Sequence, residues 1–188
     1  MKSRAPAKKI RKLEDRLVRQ HQKLGKLKRE LAPKAVEDYA LKNPEGPVTL
    51  SELFGDKRDL IVVHNMGASC PYCTMWADGF NGVLPHLENR AAFVVVSPDK
   101  PKTQKAFAAK RGWKFRMVSG RGSKFAKDMG FIEGDNPLPG VSTFRKTGRK
   151  ITRVASAPLG PFDPFCPVWH FFALLAGGVG NWQPKFRY

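Results

Sequence analysis

Acidic residues are scarce in this chain, and cysteines scarcer still. Sixteen Asp and Glu stand against 34 Lys and Arg, and 188 residues hold three cysteines. Three thiols, an odd number, exclude the disulfide framework of a small secreted scaffold. Also missing is any apolar run of about 20 residues, the length a bilayer crossing needs. The longest nearly apolar stretch is FFALLAGGVG, Phe171 to Gly180. The opening MKSRAPAKKIRKLEDR is charged at its start and has no apolar core behind it, so it does not read as a signal peptide. A cytoplasmic, reducing setting without a membrane partner is the expectation. In such a setting a close pair of cysteines is more often reactive than structural.

What is abundant is positive charge, and it is unevenly placed. Residues 1–34 hold 13 Lys or Arg against Glu14, Asp15 and Glu30, a net +10 of the chain's +18. Within this segment Ile10, Leu13, Leu17, Leu24, Leu27 and Leu31 recur at steps of three, four or seven, which draws one apolar stripe along a basic helix. Pro33 stops it. Residues 1–34 thus form a basic amphipathic extension, and residues 35–188, with enough apolar content for one core, form the domain. The leucine stripe calls for packing, on the domain or on a second copy in a homodimer. The clustered cations suit nucleic acid or another acidic partner, since Lys and Arg gain affinity by counterion release.

Beyond Pro33 the pattern alternates. DLIVVHNM (Asp59–Met66) and AFVVVSP (Ala92–Pro98) read as buried strands, FRMVS as a shorter one, and VSTFRKTGRKITRVA as a hairpin around Thr147-Gly148. Helical segments start at Cys70, at KTQKAFAAKRG with Gly112 as its stop, at SKFAKDMG, and from about Pro164. GDNPLPG reads as a proline-rich turn and ALKNPEGPVTLSELFGDKR as turn, short extended piece and brief helix. The fold class is α/β: a mixed sheet, parallel at its centre, flanked by helices.

The stretch ASCPYCTMWADGFN joins the first buried strand to the first domain helix. Pro71 suits the first helical position, where its missing N–H costs nothing. Cys73, Trp76, Phe80, Val83, Leu84 and Leu87 then share one face, and Cys70 is left at the tip. Unpaired amides and the positive end of the helix dipole favour a thiolate on Cys70. Cys73, one turn further in, is placed to resolve a mixed disulfide. No acid lies between Met66 and Trp76 to oppose the thiolate.

The CPYC after LIVVHNMGAS resembles a thioredoxin-like active site, with the glutaredoxin pair between its cysteines. Over a longer span, LFGDKRDLIVVHNMG, CPYCTMWADGFNGVLPHLENRAAFVVVS, PGVSTF and FCPVWHFFALL resemble the thioredoxin-like family catalogued as domain of unknown function 899. The resemblance covers the chain from about Leu31 onward and implies a thioredoxin fold of the peroxiredoxin-related kind. It implies a cis-proline facing the cysteines, for which Pro139 fits best and Pro137 less well. A substrate groove is then expected at Pro139, Pro71 and Tyr72. The peroxiredoxin pattern Pro-x-x-x-Thr-x-x-Cys is absent, because Asn65 to Ser69 supply neither that Pro nor that Thr.

Three functions follow as expectations. The first is thiol–disulfide oxidoreduction through Cys70 and Cys73, on a protein or small-thiol disulfide, with an external thiol reductant and no cofactor. The second is a non-catalytic thioredoxin-fold module whose basic helix binds RNA or an acidic partner. The third is a zinc or copper(I) protein in which Cys166 and His170, four apart on one helix face, join Cys70, Cys73 and His64 or His86. A single Cys and a lone His beside aromatics usually pack, so no metal ligand is assigned and Cys166 reads as structural. Asp78 lies too far round the helix to serve Cys70 as a base, and SGRGSKF reads as a plain turn.

Overall fold

A computed structural model describes residues 4–31 and 33–188. Residues 1–3 and Ala32, part of the expected basic extension, lie outside the described residues. The extension is helix α1 (Arg4–Glu30). It leads into strands β1 (Lys34–Val36), β2 (Ala40–Asn43) and β3 (Gly46–Thr49), then one 3-10 turn at Glu52–Phe54. The centre comprises β4 (Asp59–His64), α2 (Pro71–Arg90), β5 (Ala92–Ser97), α3 (Pro101–Arg111), β6 (Arg116–Ser119) and α4 (Phe125–Asp128). Last come β7 (Ile132–Glu133), β8 (Asn136–Pro137), β9 (Gly140–Thr147), β10 (Lys150–Pro158) and α5 (Pro167–Ala173).

Eight strands form one sheet in the order β1-β10-β9-β4-β5-β6-β2-β3, parallel only along β4-β5-β6. Two short βα crossovers make that parallel core, and the β9–β10 hairpin adds to it antiparallel. Because β4 and β5 are covered on both faces, they read as unbroken apolar runs. Leu60, Val62, Val94 and Val96 point into a cluster with Phe54, Phe125 and Phe144. Val63, Phe93 and Val95 point the other way, to Trp76, Phe115 and Trp169. Each such side chain contributes about 1.5–3 kcal/mol when fully buried.

Several elements differ from the sequence expectation. ALKNPEGPVT pairs as the β2–β3 hairpin, and β2 joins the sheet edge beside β6. β1 pairs with β10. GDNPLPG supplies the turn, at Gly134, and the second strand of the small β7–β8 hairpin, whose first strand is Ile132–Glu133. The terminal helix starts at Pro167, not Pro164, because Asp163 holds residues 160–166 in a loop of side-chain-to-amide bonds. The stripe of α1 is exposed on its own chain, Leu17 by 55%. Among the described residues no helix is long and apolar enough to cross a membrane.

Candidate active site

The site sits where β4 ends. Asn65 continues the strand by donating its N–H to the Val96 carbonyl, and its side-chain oxygen takes the Gly67 N–H at 2.7 Å. Gly67 turns the chain at φ 109°, and a Cβ there would meet the Asp99 carboxylate at 3.0 Å, so only glycine fits. Asp99 in turn accepts the Ala68 N–H at 2.9 Å. A strand end, an asparagine and an aspartate thus fix the loop that delivers Cys70 to the start of α2.

Cys70 caps α2 in an extended conformation, with Pro71 at the first helical position. The Cys73 N–H donates to Cys70 Sγ at 3.0 Å. The Cys70 carbonyl accepts from the Thr74 amide and hydroxyl, at 3.0 and 2.9 Å. Neither cysteine is in a disulfide; Cys70 is partly exposed and Cys73 buried. Hydrogen bonding from the Cys73 thiol, aided by the amides of Cys73 and Tyr72 and opposed by burial, lowers the Cys70 thiol to about 6. Cys73 moves the other way, raised by the same bond and by burial. The pair therefore holds one thiolate and one thiol, with the negative charge on the exposed sulfur.

A cavity of about 280 Å³ opens beside the two sulfurs, walled by Tyr72, Trp76, Pro139 and the Leu159–Pro161 segment. Of the expected groove residues, Tyr72 and Pro139 line it. Pro71, at the first helical position, does not. The expected cis bond before Pro139 is a correction: no described peptide bond is cis. Leu138 donates to the Phe131 carbonyl and the Pro139 carbonyl accepts from Leu159, so the segment stays extended into β9 with no tight turn that a cis bond would serve. Gly140 follows because a Cβ there would fall 1.8 Å from the Phe131 ring.

Asp163 is the residue that sequence reasoning missed. Its carboxylate accepts from the Trp76 indole at 3.0 Å and from the amides of Gly160, Phe165 and Cys166 at 2.8, 2.7 and 3.1 Å. It thereby ties the outer cavity wall to α2. The neighbouring Phe162 is held at φ 67°, a left-handed strain that this network sustains. The Asp163-Pro164 pair was a turn signal, but nothing in the sequence pointed it at Trp76.

Of the other singled-out residues, His64 lines the cavity at the cysteines, and Asp78, His86, Cys166 and His170 do not. His64 is buried, stacked 4.1 Å from Phe131, with Nε2 on Ser142 Oγ at 3.0 Å. Burial, aided by the Arg153 charge, lowers it to about 3 and keeps it neutral. Asp78 pairs with Arg111 and accepts from the Trp113 indole, clamping α2 to α3. Cys166 is buried, and His170 Nε2 lies 2.9 Å from the Asp163 carbonyl oxygen. Among the described residues no three His, Cys, Asp or Glu gather as a metal site.

Comparison with known proteins places the fold. Peroxiredoxin Q of the Sedum lineare chloroplast is 33% identical over 110 residues, 56% of this chain; the match spans 58% of that protein's length. Peroxidoxin BcpB from Mycobacterium tuberculosis superposes with a TM-score of 0.53 at 25% identity, covering 67% of this chain and 84% of that one. Reduced Prx3 from Vibrio vulnificus, solved with hydrogen peroxide, superposes at 0.54 and 14% identity, covering 69% and 88%. The fold is that of the peroxiredoxin-related thioredoxin-like proteins. The family described as bacterial protein of unknown function (DUF899) matches residues 3–184, the α1 helix included, and the chain belongs to that family.

Proposed function

We propose that this chain is a thiol–disulfide oxidoreductase in which Cys70 attacks and Cys73 resolves. The observation that carries the reading is the Cys70 sulfur, capped by the Cys73 amide and open to a cavity. The Cys70 thiolate bonds to one sulfur of a substrate disulfide, the S–S bond breaks, and the other half leaves as a thiolate. Once Cys70 is bound as a mixed disulfide, its charge no longer holds the proton on Cys73. Cys73 then gives its proton to the departing sulfur and bonds to Cys70, releasing the second thiol. The substrate gains two electrons and an external dithiol returns the pair to its reduced form. Tyr72 and Pro139 line the substrate's approach.

A second reading, peroxide reduction by the same thiolate, is favoured by the identity to peroxiredoxin Q. Cys70 would then take one peroxide oxygen as sulfenate, release an alcohol, and lose water to Cys73 as the disulfide forms. One experiment tests both. The reduced protein is mixed with a disulfide or with a hydroperoxide, then trapped and weighed. The Cys73→Ser form is expected to accumulate a mixed disulfide at Cys70 with the first. Oxidation to sulfenate by the second, with no mixed disulfide from the first, would reverse the order of the readings. Inertness of Cys70 to both sinks them together.

A further inference from the structure

The cavity at Cys70 does not end there. A second, of about 360 Å³, shares Val63, Phe80 and Leu159 with it, so one apolar track runs from the sulfurs over the sheet face formed by β4, β9 and β10. Ile61, Val141 and Ala155 supply its floor. Val83 and Phe165, each about half exposed, are among its lining residues. Most polar groups near the sulfurs are already committed. Asn65 holds Gly67 and the Cys73 carbonyl, and His64 holds Ser142 through Nε2, leaving its buried Nδ1 without a partner on a ring that stays neutral. Apart from the Cys70 thiolate itself, the one charged side chain among the lining residues of both cavities is Lys28, in the second.

A charged disulfide entering this track would shed its hydration and meet at most a neutral imidazole, which does not neutralise its charge. A hydrocarbon arm would leave water for carbon throughout. Resting on the oxidoreductase reading above, we infer that the disulfide accepted at Cys70 is an uncharged aliphatic one, its alkyl arm lying along Val63, Phe80 and Leu159. Cys70 bonds to the near sulfur, the S–S bond breaks, and an alkanethiolate leaves. Cys73 then closes the Cys70–Cys73 disulfide, and the second alkanethiol departs with the Cys73 proton. A dithiol reductant restores the pair.

The test uses the full reduced chain and the symmetric dialkyl disulfides from dimethyl to dibutyl, with oxidised glutathione as the charged comparison. Loss of the Cys70 thiol is read by alkylation and mass, and each rate is divided by that of a free small thiol at the same pH. The normalised rate is expected to climb about three- to four-fold for each methylene that enters the track. Oxidised glutathione is expected to fall at least a hundred-fold below dibutyl disulfide. Ala155→Trp fills the track, so it should flatten the climb across the series. If that variant does not fold, Phe165→Ser, at a half-exposed lining position, should reduce the climb instead. A flat series with brisk consumption of dimethyl disulfide overturns the aliphatic substrate and leaves the oxidoreductase standing. A climb undiminished in the folded variant overturns the track. No disulfide consumed faster than by the free thiol removes the oxidoreductase reading itself.

Discussion

Two helices of this chain begin with the same dipeptide, Cys70-Pro71 at α2 and Cys166-Pro167 at α5. Both cysteines occupy the N-cap in extended backbone, at φ −97°, ψ 108° and φ −116°, ψ 108°, and both prolines take the first helical position. The thiols nonetheless move in opposite directions. Cys70 falls to about 6. Cys166 rises, chiefly through burial, with the Asp163 carboxylate adding to it against the amides of Val168 and Trp169. Cys70 also has a second sulfur in the next turn and 20 helical residues behind it, against seven for Cys166. The shared start sets only backbone geometry. Exposure, the neighbouring charge and a thiol donor decide where the proton sits.

The largest expected effect breaks that symmetry outright. Cys70→Ser should lower disulfide turnover by at least about a thousand-fold, as loss of a nucleophile does. Cys166→Ser should leave it within two-fold. Steady-state assay of both variants decides it, and comparable losses would mean that Cys166 belongs to the site.

The pH dependence sharpens the comparison further. Thiolate is the reactive, deprotonated form, so a proton affinity lowered to about 6 makes Cys70 alkylation rise through pH 6 and level off by pH 8. Cys166, shifted upward by burial, should still be accelerating above pH 9 in the folded protein. Peptide mapping of labelled protein across pH separates the two curves. In Cys73→Ala the principal donor to Cys70 is gone, and the Cys70 midpoint should move up from about 6 towards the ordinary thiol range. A midpoint that stays near 6 would assign the effect to the helix amides alone.

Asp163 links the two helix starts, since it accepts from Trp76 on α2 and from the Cys166 amide. Asp163→Ala leaves one indole and three amide donors without their acceptor. The Phe165 amide is exposed and the other three donors are part-buried, so water takes up part of the loss, and about 1–3 kcal/mol is expected in denaturant unfolding. The same change removes a negative charge from beside Cys166, so the Cys166 alkylation midpoint should fall while that of Cys70 stays. If both midpoints stay, burial alone holds Cys166 up.

How much of this was legible depended on distance along the chain. The strand, proline and helix around Cys70 lie within about 30 residues of one another, and their patterns predicted β4, α2 and the cysteine placement directly. The β9–β10 hairpin was equally legible from Thr147-Gly148. The edge strands β1, β2 and β3 were not, because three- or four-residue strands gain their stability from partners such as β10 and β6 that local propensity does not encode. Asp163 was hidden for the same reason: its partner Trp76 is 87 residues away. Cys166 was the informative case. Sequence read it as structural from its company of aromatics, and its burial among Trp76 and Trp169 follows that reading.

The smallest expected effect concerns α1, whose helical pattern resembles that of α2 and whose surroundings do not. Leu84 of α2 is buried against the sheet, and Leu84→Ala should cost about 2–4 kcal/mol by leaving a cavity. Leu13, Leu17 and Leu24 of α1 are about half exposed on their own chain. Leu17→Ser should then change stability by no more than about 0.5 kcal/mol in dilute protein. A larger loss that grows with protein concentration would show the leucine stripe held by a second copy. One that appears only with an anionic polymer and fades with salt would show the basic face held by opposite charge, since screening weakens exposed charges first. Unfolding at two protein concentrations and two salt concentrations distinguishes these outcomes, because apolar pairing and charge attraction respond to salt in opposite directions.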